Sequence, residues 1–316
     1  MIGKTIVLNA ARMNYDGKLD FSVLSPEVVS YDATEPDELL DRIKDADIIV
    51  TKEMPVSGEL IAAFPESVKL ICEAGTGYNN IDIEAARKKG ITVCNIPAYS
   101  TERVAHTAIM MILNLSSTMQ VQQAMLTRGD RSNFTKCLQV PHVEVNGKTL
   151  GVIGAGHIGK EVIKVGQALG MKILAYTRTP GEDEENLKYV PLDAVLAESD
   201  YISLHCPLTD QTRHLINEET ISKMKSSAFI INTGRGALID EEALIKALKE
   251  GKIAGAGLDV QETEPPVWDN PLYDMPNVVL TPHMGWKGLE TRQRLVSILS
   301  DNIHGFMEGK PINVVS

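Results

Sequence analysis

The sequence has no run of basic residues and no apolar stretch that approaches the length of a membrane span. Its 31 Lys and Arg residues stand against 42 Asp and Glu residues, which gives a net charge of −11. Such a charge repels nucleic acids and anionic membrane surfaces, and roughly 20 consecutive apolar residues are needed to cross a bilayer. We therefore expect neither a nucleic acid nor a membrane as a partner.

The sequence also lacks close pairs of cysteines and the features of a secretory leader. The four cysteines, Cys72, Cys94, Cys137 and Cys206, are widely spaced and form no CxxC motif. This spacing is typical of reduced thiols and offers neither a disulfide framework nor a zinc site. The first residues have no basic segment, long apolar stretch or small-residue cleavage site. The sequence predicts a cytoplasmic protein without a metal site.

What the sequence does have is an alternation of short β-branched runs with amphipathic helical stretches. This pattern is typical of parallel βαβ units and predicts an α/β fold. At about 150 residues per domain, a chain of 316 residues favours two domains. The predicted strands of a first series are 5–8, 47–50, 69–72 and 92–94, with helices over 36–44 and 82–89.

A long, weakly charged helical stretch over 105–125 precedes a second series of strands. That series has the pattern of a complete nucleotide-binding sheet. Its predicted strands are 150–154, 172–176, 201–204, 228–232, 253–259 and 278–281. Because a helix over 289–307 comes after the second series, we expect it to pack back on the first domain. The fold predicted is two Rossmann-like doubly wound parallel sheets, with domain 100–285 inserted between 1–99 and 286–316.

Gly154, Gly156 and Gly159 form a GxGxxG motif between an apolar strand and a helical run. In this context the first glycine permits a tight turn, the second lets a pyrophosphate approach the backbone, and the third lets helix and strand pack. The helix N-terminus would supply N–H donors to the anion. The alternative is three packing glycines without a ligand, but the placement favours a dinucleotide site.

Two further segments come directly after predicted strands, where open α/β sheets bind ligands. Arg235 stands between glycines after the strand 228–232, and a guanidinium can fork onto a carboxylate. Glu264, in a proline-rich loop, and His283, at a strand end, could form a pair in which the histidine moves a proton. Taken singly, Arg235 would more often be an ordinary surface residue, and His283 would more often be a hydrogen-bonded structural histidine.

Together, the segments GAGHIG, NTGRGALID, GLDVQETEP and TPHMG, in this order after GTGYNNID at 75–82, make a specific set. Over essentially the whole chain the sequence resembles the D-isomer-specific 2-hydroxyacid dehydrogenases. The resemblance implies a discontinuous substrate domain, an inserted cofactor domain and an active site in the cleft. It also implies a homodimer built on the long helix that starts near Thr101.

The resemblance assigns roles to individual residues. Arg235 matches the arginine that binds the carboxylate and carbonyl oxygen of a 2-keto acid. His283 matches the general acid and base, and Glu264 matches its carboxylate partner. The substrate contacts implied are Gly75, Thr76 and Gly77 through their backbone donors, with Arg235 and Trp286. The cofactor contacts implied are Gly154, Gly156, His157, Ile158, Gly159, Thr177, Arg178, Thr179, His205, Cys206, Pro207, Thr212, Thr233, Gly234, Arg235, Asp259, His283 and Gly285.

The chain departs from the family pattern at His106, where many members have glutamate. A lone histidine near an apolar helix is usually structural, so we expect a core or helix-start role and assign it no catalytic one.

A second departure lies at the end of the strand 172–176, where NAD-specific folds place an acid. Here Thr177, Arg178 and Thr179 stand instead, and an arginine can bind a 2′-phosphate. The sequence predicts a preference for NADPH, with NADH use possible. The alternative is that Arg178 points to solvent and Thr177 tolerates either cofactor. A further alternative is that Asp183 folds back to the ribose.

The substrate depends on pocket walls, for which 52–55, Tyr78, Tyr99 and Trp286 are candidates. The segment HMGW at 283–286 looks like that of glycerate dehydrogenases, also called hydroxypyruvate reductases. We therefore expect a small 2-keto acid, hydroxypyruvate or glyoxylate, reduced to the D-2-hydroxy acid and the reverse. The alternatives are a phosphoglycerate or D-lactate type dehydrogenase and, from another class, a nicotinamide-sensing binding protein like the dehydrogenase-fold corepressors. A formate dehydrogenase would have glutamine at Glu264.

Overall fold

A computed structural model describes residues 3–316; Met1 and Ile2, with which the predicted first domain begins, lie outside the described residues. The chain divides into two compact units. The first unit comprises the residues up to Ser100 together with Lys287–Ser316, and the second comprises Thr101–Trp286. These boundaries lie one residue from the predicted ones.

The first unit, as far as it is described, is built on five parallel strands in the order β2-β1-β3-β4-β5. Its strands are β1 (Lys4–Val7), β2 (Glu27–Ser30), β3 (Ile48–Thr51), β4 (Leu70–Glu73) and β5 (Thr92–Cys94), and its helices before Ser100 are α1 (Leu39–Arg42), α2 (Gly58–Ala63) and α3 (Ile83–Lys88). The central strands β3 and β4 are buried along their whole length, as expected for strands covered on both faces.

The second unit is built, within its described residues, on seven parallel strands in the order β12-β11-β10-β9-β6-β7-β8. Its strands are β6 (Thr149–Ile153), β7 (Lys172–Tyr176), β8 (Leu187–Tyr189), β9 (Tyr201–Leu204), β10 (Phe229–Asn232), β11 (Gly255–Leu258) and β12 (Val278–Leu280). Its helices are α4 (Thr101–Ser117), α5 (Met119–Thr127), α6 (Ser132–Thr135), α7 (His157–Ala168), α8 (Leu192–Glu198), α9 (Glu218–Ser222) and α10 (Glu241–Lys249). Counted from β6, the order is that of a dinucleotide-binding sheet with one added strand.

The last helix, α11 (Leu289–Met307), belongs to the first unit and packs against β4. Leu295, Leu299 and Ile303 recur at helical spacing and are buried. Arg292 is also buried and donates to both carboxylate oxygens of Asp16, at 2.8 and 2.7 Å. The prediction that this helix returns to the first domain is therefore correct.

Several elements of the structure differ from the expected ones. The strands β2 and β8 were not expected, because both are short edge strands with exposed residues and a weak apolar pattern. The helix predicted over 36–44 is reduced to α1, since only Leu39 and Ile43 of this stretch turn into the core. Edge strands and single helical turns carry little periodic signal.

The long helix predicted over 105–125 is wrong as a single element. The helix is interrupted at Thr118, which adopts a left-handed conformation with φ of 51°, and α5 begins at the next residue. The apolar residues of α4 are largely buried against α7, β10 and β11, so the second unit itself accounts for much of their character. Within 101–145, the large apolar side chains that stay exposed are Met110 and Leu113 on α4 and, further along, Met119, Leu126, Phe134, Leu138 and Val143.

None of the helices in residues 3–316 has both the length and the apolar character needed to cross a membrane. All four cysteines are free thiols; Cys72 and Cys94 are buried on neighbouring strands, whereas Cys137 is exposed. Burial raises the pKa of Cys94 to about 11, so this thiol stays protonated at neutral pH.

Candidate active site

The turn between β6 and α7 is built around two glycines that no other residue could replace without rearrangement. Gly154 has φ of 99°, and a Cβ there would lie 2.5 Å from the backbone nitrogen of Cys206. A Cβ at Gly159 would lie 2.0 Å from the carbonyl oxygen of Gly154. The motif thus forces a tight turn with the helix packed directly against the strand.

The middle glycine of the motif, Gly156, is not confined by neighbouring protein atoms. Gly156 is exposed, and a Cβ there would meet no protein atom within 4 Å. It is the N-cap of α7 and offers no side chain to the first N–H groups of the helix, while His157 is exposed and Ile158 half-buried. Open N–H donors and the positive end of the helix dipole favour an anion here. The turn therefore fits the pyrophosphate of a dinucleotide.

The end of β7 carries a positive charge and no acid. Thr177 is half-buried, whereas Arg178 and Thr179 are exposed, and among residues 3–316 Arg178 makes no ion pair. The nearby Asp183 accepts a hydrogen bond from the backbone of Tyr189 at 2.9 Å. That bond holds the carboxylate within its own loop, so the alternative in which Asp183 folds back lacks support.

The segment after β9 lies beside the glycine turn. The backbone of His205 donates to Ile153 at 2.7 Å, and its ring bonds the hydroxyl of Ser203 at 2.8 Å. Burial lowers the pKa of His205 to about 4, so the ring is neutral at pH 7. Thr212 donates its hydroxyl to the carbonyl of Pro207 at 2.7 Å and thereby braces the loop that contains Cys206.

The loop after β10 presents Arg235. The side chain of Asn232 closes this loop, accepting from Gly234 at 3.0 Å and donating to the carbonyl of Arg235 at 2.9 Å. The guanidinium donates to the carbonyl of Gly234 at 2.8 Å, and within the described residues it pairs with no carboxylate. Its other N–H groups can therefore bind an anionic ligand.

Thr233, in the same loop, is buried, and its hydroxyl has no hydrogen-bond partner among residues 3–316. An unsatisfied buried hydroxyl costs free energy unless a ligand pairs with it. Together with the open turn at Gly156, this hydroxyl shows that the residues present fit a nicotinamide dinucleotide.

His283 and Glu264 form a hydrogen-bonded pair. The Nδ1 atom of His283 lies 2.8 Å from Oε2 of Glu264, and the other carboxylate oxygen accepts from the backbone of Gln261 at 3.0 Å. A carboxylate fixed in this way orients the imidazole ring. Because Nδ1 is engaged, Nε2 is the ring atom that can exchange a proton with a substrate.

Asp259 holds the turn that carries His283. Its buried carboxylate accepts from the hydroxyl of Thr281 at 2.6 Å and from the backbones of Met284 and Gly285, each at 2.8 Å. A Cβ at Gly285 would lie 2.8 Å from this carboxylate, so glycine permits the close approach. Asp259 therefore positions the histidine, and its contact with the cofactor stays a prediction.

In the first unit, the loop after β4 carries the predicted backbone donors. Gly75 is buried, while Thr76 donates its hydroxyl to Ile96 at 2.9 Å and accepts from Asn95 at 2.8 Å through its carbonyl. Among residues 3–316, no hydrogen bond uses the N–H groups of Gly75, Thr76 or Gly77. Three adjacent unused donors are suited to an anion such as a carboxylate.

The remaining predicted residues are His106 and Trp286. His106 is exposed on α4, so a core position is wrong for it. Trp286 is buried at the end of the second unit. Sequence reasoning missed Asn232; the only signal was an asparagine between an apolar strand and a glycine turn.

Comparison with known proteins decides the family. The sequence profile described as "D-isomer specific 2-hydroxyacid dehydrogenase, NAD binding domain" matches residues 109–285. The chain belongs to this family. It is also 41% identical to the hydroxypyruvate reductase of Blautia hydrogenotrophica, over 99% of each chain. With the glycerate dehydrogenase of Methylorubrum extorquens it shares 39% identity over 92% of each chain.

Solved structures share the fold of this chain. The crystal structure of a glyoxylate reductase from Paecilomyes thermophila matches with a TM-score of 0.86 and 33% identity, covering 99% of this chain and 98% of that one. The predicted family and fold class are therefore confirmed. The protein is a D-isomer-specific 2-hydroxyacid dehydrogenase, an oxidoreductase that acts on CH–OH groups, and its second unit carries the NAD-binding domain of the family.

Proposed function

We propose that this dehydrogenase reduces hydroxypyruvate or glyoxylate to the corresponding D-2-hydroxy acid, with NADPH as the preferred reductant, and catalyses the reverse oxidation. The observation that carries the proposal is the hydrogen bond between His283 and Glu264, at 2.8 Å, in a chain that also keeps Arg235 clear of any described carboxylate. Relatives that are hydroxypyruvate reductases, glycerate dehydrogenases and glyoxylate reductases support the substrate class.

In the proposed reaction, His283 is the general acid. Its protonated ring gives the Nε2 proton to the carbonyl oxygen of the keto acid, while Glu264 stabilises the positive charge from the other side. A nicotinamide cofactor held by the glycine turn and Thr233 would supply the hydride for the reduction. In the oxidation, neutral His283 accepts the hydroxyl proton, as microscopic reversibility requires.

Substrate binding is assigned to Arg235 and to the loop of Gly75, Thr76 and Gly77. The guanidinium fork binds the carboxylate and carbonyl oxygen, and the unused N–H groups of the loop bind the carboxylate. We also assign substrate binding to the first unit and cofactor binding to the second. The glycine turn, the segment 205–207 and Thr233 are the cofactor contacts of this proposal.

The substrate is tested with a panel of keto acids. Hydroxypyruvate and glyoxylate should give the highest kcat/KM, ahead of pyruvate and 3-phosphohydroxypyruvate. A clear preference for 3-phosphohydroxypyruvate or pyruvate would favour the phosphoglycerate or D-lactate type of enzyme. If none of the acids is reduced with either cofactor, the proposed activity is wrong.

The NADPH preference depends on Thr177 and Arg178. A 2′-phosphate would be repelled by an acid at the end of β7, whereas an exposed arginine without an ion pair can bind it. We expect kcat/KM to favour NADPH, and Arg178→Ala to reduce the use of NADPH but not that of NADH. Arg87→Ala, at an exposed arginine of the first unit, is the control. Equal use of NADPH by the Arg178 variant and the parent would contradict the proposal.

We also propose a cytoplasmic homodimer. The exposed apolar side chains between Met110 and Val143 would be covered by a second copy, and Phe134 alone is 76% exposed. A cavity of about 480 Å³ opens in the same region, between Leu115, Val121, Val140 and Phe229. Free thiols suit a reducing compartment. Sedimentation should give twice the chain mass of 34.5 kDa at micromolar concentration, and a monomer would contradict the dimer.

A further inference from the structure

A cluster of buried polar residues lies at the carboxyl ends of β1, β3 and β4 in the first unit. Lys52 is only 2% exposed, Glu73 and Thr51 are fully buried, and Asn9 is 6% exposed. Burying such groups costs free energy unless they are paired. Carboxyl ends of central parallel strands are also where open α/β sheets bind ligands.

The cluster fixes the backbone that carries Lys52. The side-chain amide of Asn9 donates to the carbonyl of Lys52 at 2.5 Å and accepts from its N–H at 2.9 Å. Glu73 accepts from the backbone of Glu53 at 2.9 Å, from Thr51 at 2.8 Å and from Asn80 at 2.9 Å. Glu53 has φ of 56°, a conformation that side chains rarely adopt, and these bonds maintain it.

The ammonium group of Lys52 is directed at the anion-binding loop. A Cβ built on Gly75 would lie 3.2 Å from Nζ, so the charge lies directly over the first residue of that loop. Nζ also lies 2.7 Å from Oε1 of Glu53. The other carboxylate oxygen of Glu53 lies 3.8 Å from Nη1 of Arg12, so the Glu53 carboxylate lies near two cations.

We propose that Lys52 binds the carboxylate of the 2-keto acid, together with the backbone donors of Gly75, Thr76 and Gly77. Without substrate, Glu53 holds the ammonium group; with substrate, the ammonium turns to the substrate carboxylate and Glu53 remains beside Arg12. This inference rests on the proposed function, because it takes the loop to be the carboxylate site. It adds to that function a buried cation that exchanges one carboxylate for another.

The first experiment compares Lys52→Met with the parent on two substrates. A lost charged hydrogen bond should raise KM about 10- to 100-fold for glyoxylate and hydroxypyruvate alike, with a much smaller change in kcat. The Kd of the cofactor should not change. Lys4→Met is the matched control, because Lys4 also pairs with a carboxylate in this unit, Asp45 at 2.6 Å, but at the amino end of β1.

Two results of this experiment would overturn the inference. An unchanged KM for both acids would show that Lys52 is structural. A rise confined to hydroxypyruvate would assign Lys52 to the hydroxyl group and not to the carboxylate, since glyoxylate has no such hydroxyl.

A second variant keeps the test valid if Lys52→Met does not fold. Glu53→Gln removes the carboxylate charge that competes with the substrate for the Lys52 ammonium group. KM for both acids should therefore fall severalfold. A rise in KM would contradict the exchange of partners.

A binding measurement separates this inference from the proposed activity. Oxalate should raise the Tm of the parent and of Lys4→Met but not that of Lys52→Met. If the parent reduces no keto acid and oxalate still protects it through Lys52, the proposed activity fails and the anion site stands. Equal protection of all three proteins would overturn the anion site.

Discussion

The two units are built in the same way but differ at the end of their first strand. In the second unit β6 runs into Gly154 and the open N-terminus of α7, where Gly156 leaves its surroundings free of protein atoms. In the first unit β1 runs into Asn9, whose side chain turns inward and bonds Lys52. One sheet thus keeps a space for a long anionic cofactor, whereas the other fills the same position with its own polar groups.

The comparison teaches that parallel sheets of similar topology select ligands through the residues just beyond the carboxyl ends of their strands. In the first unit the strand order β2-β1-β3-β4-β5 brings Asn9, Lys52 and Glu73 to one edge. In the second, the loops after β10, β11 and β12 bring Arg235, Asp259 and His283 to one edge. The chain's own polar groups fill this position in the first unit, whereas it stays open at Gly156 in the second.

The largest expected effect is on the chemistry assigned to the second unit. His283→Ala should reduce kcat by roughly 10²- to 10⁴-fold, because general acid catalysis contributes about that much, and should leave cofactor binding intact. His214→Ala is a matched control, since His214 also pairs with a glutamate, Glu262 at 2.6 Å. Near-parental turnover in the His283 variant on every accepted acid would refute its role.

The assignment of the cofactor pyrophosphate to the open turn is tested by adding a methyl group at Gly156. Gly156→Ala meets no protein atom within 4 Å, so the Tm should not change, but the new methyl group should weaken cofactor binding about tenfold or more. Gly3→Ala, equally unobstructed in the first unit, should change neither quantity. Thermal unfolding measures the Tm, and isothermal titration with NADPH and with NADH measures the affinity. Cofactor binding by Gly156→Ala at parental strength would mean that the pyrophosphate lies elsewhere.

A smaller effect is expected from the partner of His283. In Glu264→Gln the neutral amide no longer stabilises the protonated ring, so the upper pH limit of keto acid reduction should move to lower pH while activity on the acidic side persists. Profiles of kcat/KM against pH for the variant and the parent provide the measurement. Superimposable profiles would show that Glu264 does not act through His283.

The smallest effect concerns acid stability. The pKa of His205 is lowered by burial to about 4, below the value of 6.5 for a free histidine, so the unfolded chain binds more protons between these pH values. The second unit should therefore lose stability as the pH falls from 6.5 towards 4, and His205→Gln should lose less. Trp268 and Trp286 both belong to this unit, so tryptophan fluorescence in urea at pH 7 and pH 5 reports it.

In the first unit a comparable acid-sensitive group titrates at lower pH. The hydrogen bonds from Arg292 lower the pKa of Asp16 to about 2, so the stability they confer is present above the usual value of 3.8 and is lost between 3.8 and 2. The two units should thus respond to acid in different pH ranges.

For the second unit, an equal loss of tryptophan-reported stability at pH 5 in His205→Gln and in the parent would show that His205 is not the cause.

Much of this organisation could be predicted from the sequence, because buried parallel strands read as β-branched runs and the glycine motif comes directly after one of them. The roles of Arg235, Glu264 and His283 could be assigned only through the resemblance, since each residue alone is ambiguous. The segment 52–55 was named as a candidate pocket wall, but the contacts of Lys52 could not be predicted. Asn9 and Lys52 are 43 residues apart, and no local pattern shows that they are hydrogen-bonded. The break at Thr118 was equally hidden, because the apolar period continues across it.

The discontinuity of the first unit has a consequence for engineering. The second unit is one uninterrupted stretch, Thr101–Trp286, so a single gene segment encodes it. The first unit needs both flanking segments, because α11 supplies part of its core. Chimaeras between relatives should therefore be joined at two points, Ser100/Thr101 and Trp286/Lys287, so that each unit keeps its whole core.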